Sequence, residues 1–509
     1  MAKKKAISRR TVLIGGGAAV GAVALAAGGF YAGTLMNGRA AAAAATTGEP
    51  KVIRSKNGQL IVDLVASPSI TEIDGQKVET FTYNNSLPGP TLVARPGDKI
   101  TVNFTNNLDE STNLHAHGLH VSPEGNSDNV MLDIKAGETF TYEYQLGADH
   151  PTGISWYHPH LHGQAANQLF AGLYGAIYVE NDDPVEVNRE RVLVISDIDF
   201  GTDGKILKPG MMALMMGREG KRILVNGQVT PNYEAEVNAL ERWRIINSCS
   251  SRYVHLHFDG ADLTVLGLDA QPHPTPVKTD ELILAPGNRA DVLAQLGSKP
   301  VNIAFDSIVH PDSMSAPEIG RTLATITPTG NTAAKVAGLT GALAALPSLS
   351  DAKVDAKRKF TLAMPDMMAG MGAMHSNGNN SGNNMSGMNH DMSNMGDMNM
   401  NGMFTINGES FDHLKVNTKV SLGTVEEWTI VNTSNMNHPF HLHVWPMQVV
   451  SINGEPVDQP VWKDVVDIRY QSETVVRINF EKFAGKTMYH CHILDHEDQG
   501  MMGVIQALK

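Results

Sequence analysis

The stretch "EEWTIVNTSNMNHPFHLHVW", Glu426 to Trp445, reads as a strand, an Asn-bearing turn and a second strand that carries His441-x-His443. The same plan occurs twice more. "ITVNFTNNLDESTNLHAHGLHV" from Ile100 ends on His115-x-His117, and "ERWRIINSCSSRYVHLHFDG" from Glu241 ends on His255-x-His257. Elsewhere "KITVNFTNNL", "ETFTYEYQL", "AGLYGAIYVEN", "RVLVISDIDF", "DVLAQL" and "ETVVRINF" alternate apolar and polar residues, with Gly, Pro and Asn between the runs. Short alternating runs broken by turn residues indicate all-β sandwiches or barrels. A repeat of strand, turn and strand indicates three similar units. The length of 509 residues fits that number, at roughly 150 residues per domain. The boundaries fall at 47–183, 184–350 and 351–509, after an amino-terminal segment of residues 1–46.

That first segment is an export signal in composition. Lys3, Lys4, Lys5, Arg9 and Arg10 precede an apolar stretch rich in Gly and Ala, and small residues follow. Ser8-Arg9-Arg10-Thr11-Val12-Leu13 matches a twin-arginine signal, except that Val12 stands where an aromatic is common. Cleavage is expected between Ala40 and Thr46. An uncleaved membrane anchor is the alternative, so membrane contact would come only through this signal. The whole chain carries a net charge of −13, although the first 46 residues contain six Lys and Arg and no acid. Such acidity excludes nucleic acid as a partner. Only Cys249 and Cys491 are present, so no disulfide framework holds the fold. Cys249 in "INSCSSRY" reads as a small buried residue.

Histidine is concentrated in four short motifs: "HAHG" (His115, His117), "WYHPHLHG" (His158, His160, His162), "HPFHLH" (His438, His441, His443) and "YHCHILDHEDQGMMG" from Tyr489 to Gly503. The last supplies Cys491, His496 and Met501. With His438 they make the two-His, one-Cys set with a weak thioether ligand that defines a blue-copper site. Side chains alternate across a strand. An extended His490-Cys491-His492 therefore points its sulfur to one face and both imidazoles to the other, joining two metal sites through one tripeptide. The same rule puts His115 with His117, His158 with His160, and His441 with His443 on shared faces. Eight such imidazoles suffice for three coppers. His255 and His257 lack an HCH partner and read as non-ligands. His120 and His162 read as structural neighbours of the ligands.

Together these motifs resemble those of the three-domain multicopper oxidases, which include laccases and bacterial cuprous oxidases of the copper-resistance type. The resemblance covers essentially all of the chain after the signal. It implies three cupredoxin-like Greek-key domains and four copper ions. It further implies a type 1 copper on His438, Cys491, His496 and axial Met501, and a type 2 copper on His115 and His441. One type 3 copper would take His117, His158 and His492, and the other His160, His443 and His490. Electrons would pass one at a time from a reductant through Cys491 to the cluster, where dioxygen becomes water. Glu497 and Asp128 resemble the acids that deliver protons, and an axial Met implies a moderate potential. Val444 follows His443 where the family usually has Gly, which implies a local change of backbone.

The segment from Met364 to Met403 holds twelve methionines among Asn, Gly and Ser, with no Leu, Val or Ile. It cannot build a core and reads as a mobile surface loop. Thioethers select Cu(I), so Met367, Met368, Met371 and Met374, with Met436, are candidate substrate ligands. Met385, Met388, Met392, Met395, Met398, Met400, Met403, His375 and His390 would assist. Relatives often carry an acid just before the position of Met436, whereas Ser434 and Asn435 stand here. "GMMALMMG", with Met211, Met212, Met215 and Met216, reads equally as a lining of the same approach or as an apolar turn on the core. The expectation is an exported, monomeric cuprous oxidase, periplasmic or at the cell surface, that uses Cu(I) or small phenols. A broad laccase is one alternative, and a copper-storage cupredoxin protein is another.

Overall fold

The computed structural model describes residues 43–180, 182, 184–308, 316–364 and 402–509. The signal up to residue 42 and the methionine-rich stretch 365–401, with Met367, Met368, Met371 and Met374, lie outside the described residues. The described chain forms three β-sandwiches, each made of a sheet of six or seven strands facing one of five.

The repeat seen in the sequence is the joint between the two sheets of each sandwich. Its first strand lies in the larger sheet: Lys99–Asn106, Leu240–Asn247 and Thr424–Asn432. Its second lies in the facing sheet: His115–His117, Val254–Asp259 and His438–Leu442. Each first strand runs parallel to an earlier long strand, pairing Leu60 with Ile100, Leu193 with Ile245 and Phe360 with Ile430. Alternation places Ile100, Val102 and Phe104 in the first core, and Trp428 and Ile430 in the third.

The asparagine that ends each first strand is buried, and its amide replaces the backbone pairing that the chain loses as it leaves the sheet. Asn106 Oδ1 accepts from Leu108 N, Asn247 Oδ1 from Cys249 N and Asn432 Oδ1 from Ser434 N, at 3.0, 3.1 and 2.9 Å. Each Nδ2 donates to two carbonyls, one in the turn and one farther along the chain: Glu110 and Ile134, Arg252 and Leu284, Met436 and Ile468. A buried amide with all its bonds made is stable where an unpaired one costs roughly 1–3 kcal/mol. The second and third sandwiches also share a Glu-x-Trp in which the indole N–H donates to the acid two residues earlier, at 2.8 Å in both Trp243–Glu241 and Trp428–Glu426.

Three short helices matter for the site: Ala165–Phe170, Met211–Met216 and Leu494–Asp498. Arg218 forks onto Asp495, with Nη2 2.6 Å and Nε 2.9 Å from Oδ1, and its Nη1 reaches Asn167 at 2.7 Å. One guanidinium thus ties the second sandwich to the last helix and to a helix of the first. Both cysteines are free and buried. Among the described residues no helix is long and apolar enough to cross a membrane.

Candidate metal centre

Four strands deliver the ligand-type residues to one place. His115–His117 pairs with Gly153–His158, aligning His117 with Trp156 and His115 with His158. His438–Leu442 pairs with Gly485–Cys491, aligning His441 with His490 and Phe440 with Cys491. The strand rule holds for His115 with His117 and for the opposed faces of Cys491 and His490. The other two pairs also reach this cluster, His441 and His443 with ring centroids 4.7 Å apart, although alternation within a strand does not carry them. Strands end at His158 and Leu442, so His160 and His443 lie beyond them. His158 instead groups with His117 and His492, while His160 groups with His443 and His490.

All eight imidazoles are at most 2 % exposed. Three nitrogens, the Nε2 atoms of His160, His443 and His490, form a triangle with every side 3.1 Å. Three imidazoles each about 2.0 Å from one metal ion would have nitrogens roughly 3.3–3.5 Å apart. His115, His117 and His441 form another close group, and His117, His158 and His492 a third. Rings also stack in pairs, His115 on His443 at 4.1 Å and His117 on His441 at 3.9 Å.

Hydrogen bonds leave one nitrogen of most rings unused. His115 Nδ1 is 3.0 Å from both Asp128 oxygens, His441 Nδ1 is 2.8 Å from the Asp464 carbonyl, and His158 Nδ1 is 2.9 Å from the Pro159 carbonyl. The Nε2 atoms of His115, His158 and His441 and Nδ1 of His117 then have no hydrogen-bond partner, although all are buried. Orphaned buried nitrogens are costly unless something fills them, and a ring whose other nitrogen is held by a carboxylate or carbonyl is the usual arrangement of a metal-bound His. Burial, reinforced by neighbouring imidazoles, pushes His115, His117, His441, His443 and His492 well below the ordinary value. At neutral pH they therefore keep free lone pairs, as metal binding requires.

A second group lies on the opposite face of Cys491. Its sulfur is 3.4 Å from His438 Nδ1 and 3.8 Å from His496 Nδ1. The outer nitrogens are held away, His438 Nε2 by Ser434 Oγ at 2.8 Å and His496 Nε2 by the Met215 carbonyl at 3.0 Å. Ser434 stands in the turn where relatives often carry an acid, and here it orients a ligand-type ring. Met501 is fully buried in the core that contains Cys491. Burial pushes the Cys491 thiol up, and a bound metal deprotonates such a thiol. Thiolate, imidazole and thioether together are the donor set that suits copper.

The two acids are not solvated groups. Asp128 is buried, accepts from Ala116 N at 2.9 Å, and is pushed up to about 7 by burial. Glu497 is fully buried, with Oε2 3.0 Å from His490 Nδ1 and Oε1 3.6 Å from His160 Nδ1. His490 Nδ1 also faces the Cys491 carbonyl at 3.0 Å, and neither Glu497 oxygen has a well-aligned donor. Burial acts to raise this carboxyl, but the facing imidazoles of His160 and His490 hold it below its usual range. Of the remaining candidates, His120 is largely buried against Phe483, and His162 is exposed beside Phe411. His255 and His257 pair with Glu281 and Asp306 at 2.8 and 3.0 Å. Met436 is buried, at 3 % exposure. The helix Met211–Met216 packs on the Cys491 core, as the apolar-turn reading expects, and its Met215 carbonyl holds His496.

The backbone at Val444 takes a glycine-type conformation. Val444 has φ +71°, the left-handed region that Gly118 occupies at φ +88° after His117. The glycine-type turn is kept by a β-branched residue, at a cost in strain. Val444 lines a cavity of about 370 Å³ that reaches His115, His441 and His443.

Sequence reasoning missed three residues. Asp464 accepts His441 Nδ1 through its carbonyl, and its Oδ1 lies 3.3 Å from His117 Nε2. Arg289 forks onto the same carboxylate. A Cβ on Gly287 would lie 2.9 Å from the His492 ring. Arg289 and Gly287 sit in the sandwich without ligand-type His pairs, and no local pattern marks them.

Three models described as multicopper oxidase match residues 65–184, 200–327 and 384–508. The multicopper oxidase mco of Staphylococcus haemolyticus is 29% identical, over 90% of this chain and 91% of that one. A laccase of Bacillus stratosphericus is 26% identical, over 83% and 89%. The solved structure of a multicopper oxidase from Campylobacter jejuni, described as a metallo-oxidase, superposes with a TM-score of 0.76 at 28% identity, over 92% of this chain and 96% of that one. With the matched segments spanning well over half of the sequence, on a fold and a set of buried donors that suit copper, the chain belongs to the multicopper oxidases of bacteria.

Proposed function

We propose that this oxidase couples oxidation of Cu(I) to reduction of dioxygen to water, in the service of copper tolerance, and that it also accepts small phenols. The observation that carries the Cu(I) reading concerns the methionine-rich segment. Its first and last methionines, Met364 and Met403, pack against the core that contains Cys491 and Met501, as do Met211 and Met216. Both described ends of the segment therefore lie against the Cys491 core, and thioethers select Cu(I).

Four coppers would be held as the motifs imply: His438, Cys491, His496 and Met501 for type 1, His115 and His441 for type 2, and His117, His158, His492 with His160, His443, His490 for type 3. Bound there, copper supplies one-electron acceptance from the reductant and four-electron delivery to dioxygen. The chain's own part is positional and protonic. Ser434 and the Met215 carbonyl aim two Nδ1 atoms at the Cys491 sulfur. Cys491 is covalently bonded to His490 and His492, so the two groups are joined through the shortest possible stretch of backbone. Glu497, held below its usual range beside His160 and His490, stands as a buried carboxylate that accepts and passes on a proton at their Nδ1 atoms. Asp128, pushed up to about 7 by burial, exchanges a proton near neutral pH beside His115 and also fixes that ring. The cavity reaching His115 and His441 admits a small molecule such as dioxygen.

The twin-arginine signature supports export, to a periplasm or the cell surface. A broad laccase is the second reading, favoured by relatives that bear that name. Oxygen uptake by the copper-loaded protein, with Cu(I) and then a phenol as reductant, separates the two. Deleting residues 375–402 is expected to cut Cu(I) oxidation far more than phenol oxidation. Equal loss with both reductants would sink the cuprous reading. Absence of uptake with either would favour a storage protein.

A further inference from the structure

We propose that Arg289, in the sandwich whose own His pair faces away, is the positioning residue for His441 of the type 2 pair and for His117 of the type 3 set, acting through Asp464. The inference rests on the ligand assignment above. Arg289 opens the strand Arg289–Leu296 and is fully buried. Its Nη1 and Nη2 donate to Asp464 Oδ1 and Oδ2 at 2.6 and 2.7 Å. Its Nε donates to the Ile154 carbonyl, on the strand that leads to His158, at 3.1 Å. Nη1 also reaches the Gly287 carbonyl at 3.1 Å.

Asp464 is where this fork takes effect. Its side chain meets His117 Nε2 and its carbonyl holds His441 Nδ1. One residue therefore sets rings from the first and third sandwiches, and Arg289 decides where that residue stands. The turn around Arg289 is stitched to the same place from a second side. Asp269 accepts from Arg289 N at 2.9 Å, from Asn288 Nδ2 at 2.8 Å and from Val465 N at 3.3 Å, and Asn288 Nδ2 donates to the Val465 carbonyl at 2.9 Å. Val465 adjoins Asp464, so one chain neighbour of Asp464 and its side chain are both held by the second sandwich.

An arginine suits this task for two reasons. Its planar fork fixes the orientation of a carboxylate, which a point charge does not. It also occupies both carboxylate oxygens, so Asp464 is not free to turn and become a ligand itself. Buried ion pairs add little net stability, and holding a unique geometry is a use they can serve. Hydrogen-bond partners of metal-bound His typically carry 10–100-fold in metal affinity or activity. Arg289 hydrogen-bonds none of the rings itself, and its fork onto Asp464 is the contact that reaches His117 and His441.

The test compares wild type with Arg289→Lys and Asp464→Asn after copper loading. It follows the blue band of type 1 copper, the paramagnetic signal of type 2 copper, and oxygen uptake. Both variants are expected to keep the blue band, to lose or broaden the type 2 signal, and to lose roughly 10–100-fold in uptake with every reductant. The blue band shows that each variant is folded. If Arg289→Lys lacks it, Asp464→Asn decides on the same readouts. A wild-type type 2 signal in the folded variants overturns the clamp and leaves the ligand assignment standing. Wild-type protein without that signal overturns the assignment, and the clamp with it.

Discussion

His255-Leu-His257 in the second sandwich and His441-Leu-His443 in the third follow the same Asn turn and occupy the same strand of their repeats, yet their surroundings are opposite. His441 and His443 are at most 1 % exposed, crowded by six other imidazoles, with His441 Nε2 and His443 Nδ1 unpartnered. The side chains of His255 and His257 are 23% and 32% exposed, and each has a carboxylate within 3.0 Å. The strands do not differ in kind. What differs is the covering of the face to which the rings point. In the third sandwich that face meets the first, which brings histidines. In the second it meets water, Glu281 and Asp306. A His-x-His becomes a metal site only where another element closes over it and leaves its lone pairs unpaid by protein.

The comparison can be broken at five points, taken from the largest effect to the smallest. His441→Gln should lower oxygen uptake by more than the roughly 10–100-fold that losing a ligand's hydrogen-bond partner costs, while type 1 colour survives. Residual turnover near wild type would show that His441 is no ligand. Copper removal comes next. Orphaned nitrogens in the cluster bind metal only when folded, so chelated protein should lose about 4 kcal/mol of stability relative to copper at 1,000-fold above its dissociation constant. Denaturant titration with and without chelator measures this, and coincident curves would deny that the metal is linked to folding.

The two turns that follow the ligand pairs give the third and fourth tests. A Cβ on Gly118 would collide with Arg289 Nη2 and lie 2.8 Å from Asp464 Oδ2, at φ +88°. Gly118→Ala should therefore cost about 3 kcal/mol, from overpacking and left-handed strain together. At the sister position the strain is already present, in Val444. Val444→Gly should raise stability by about 0.5–1 kcal/mol, the strain relieved less the entropy of a freer unfolded chain, with uptake unchanged. A loss of stability there would mean that apolar contacts of Val444 outweigh its backbone strain. The smallest effect belongs to the outward pair. His255→Gln or His257→Gln removes a half-exposed contact to an acid and should change stability by less than about 1 kcal/mol, with copper content and uptake as in wild type.

Much of this was legible in the sequence because it is local. Alternation with period two, the Asn turns and the spacing within "HCHILDHEDQGMM" are properties of ten or so adjacent residues. They specify all-β structure, three repeats, and the split of Cys491 from its flanking histidines onto two faces. Where locality fails, so does the reading. His160 and His443 leave their strands one or two residues too early for alternation to place them. Asp464 and Arg289 are 175 positions apart, and neither carries a mark of its role in its own segment.

The sequence by itself determined the kinds of donor, their grouping into motifs and the sheet architecture, since strand geometry acts between neighbours. Only the tertiary structure decided which His-x-His pairs face one another, which nitrogens are left without a partner, and that the second sandwich reaches the cluster through Arg289. Those outcomes depend on burial and on the directions of hydrogen bonds between segments far apart in the chain, and these exist only once the three sandwiches close around a common interior.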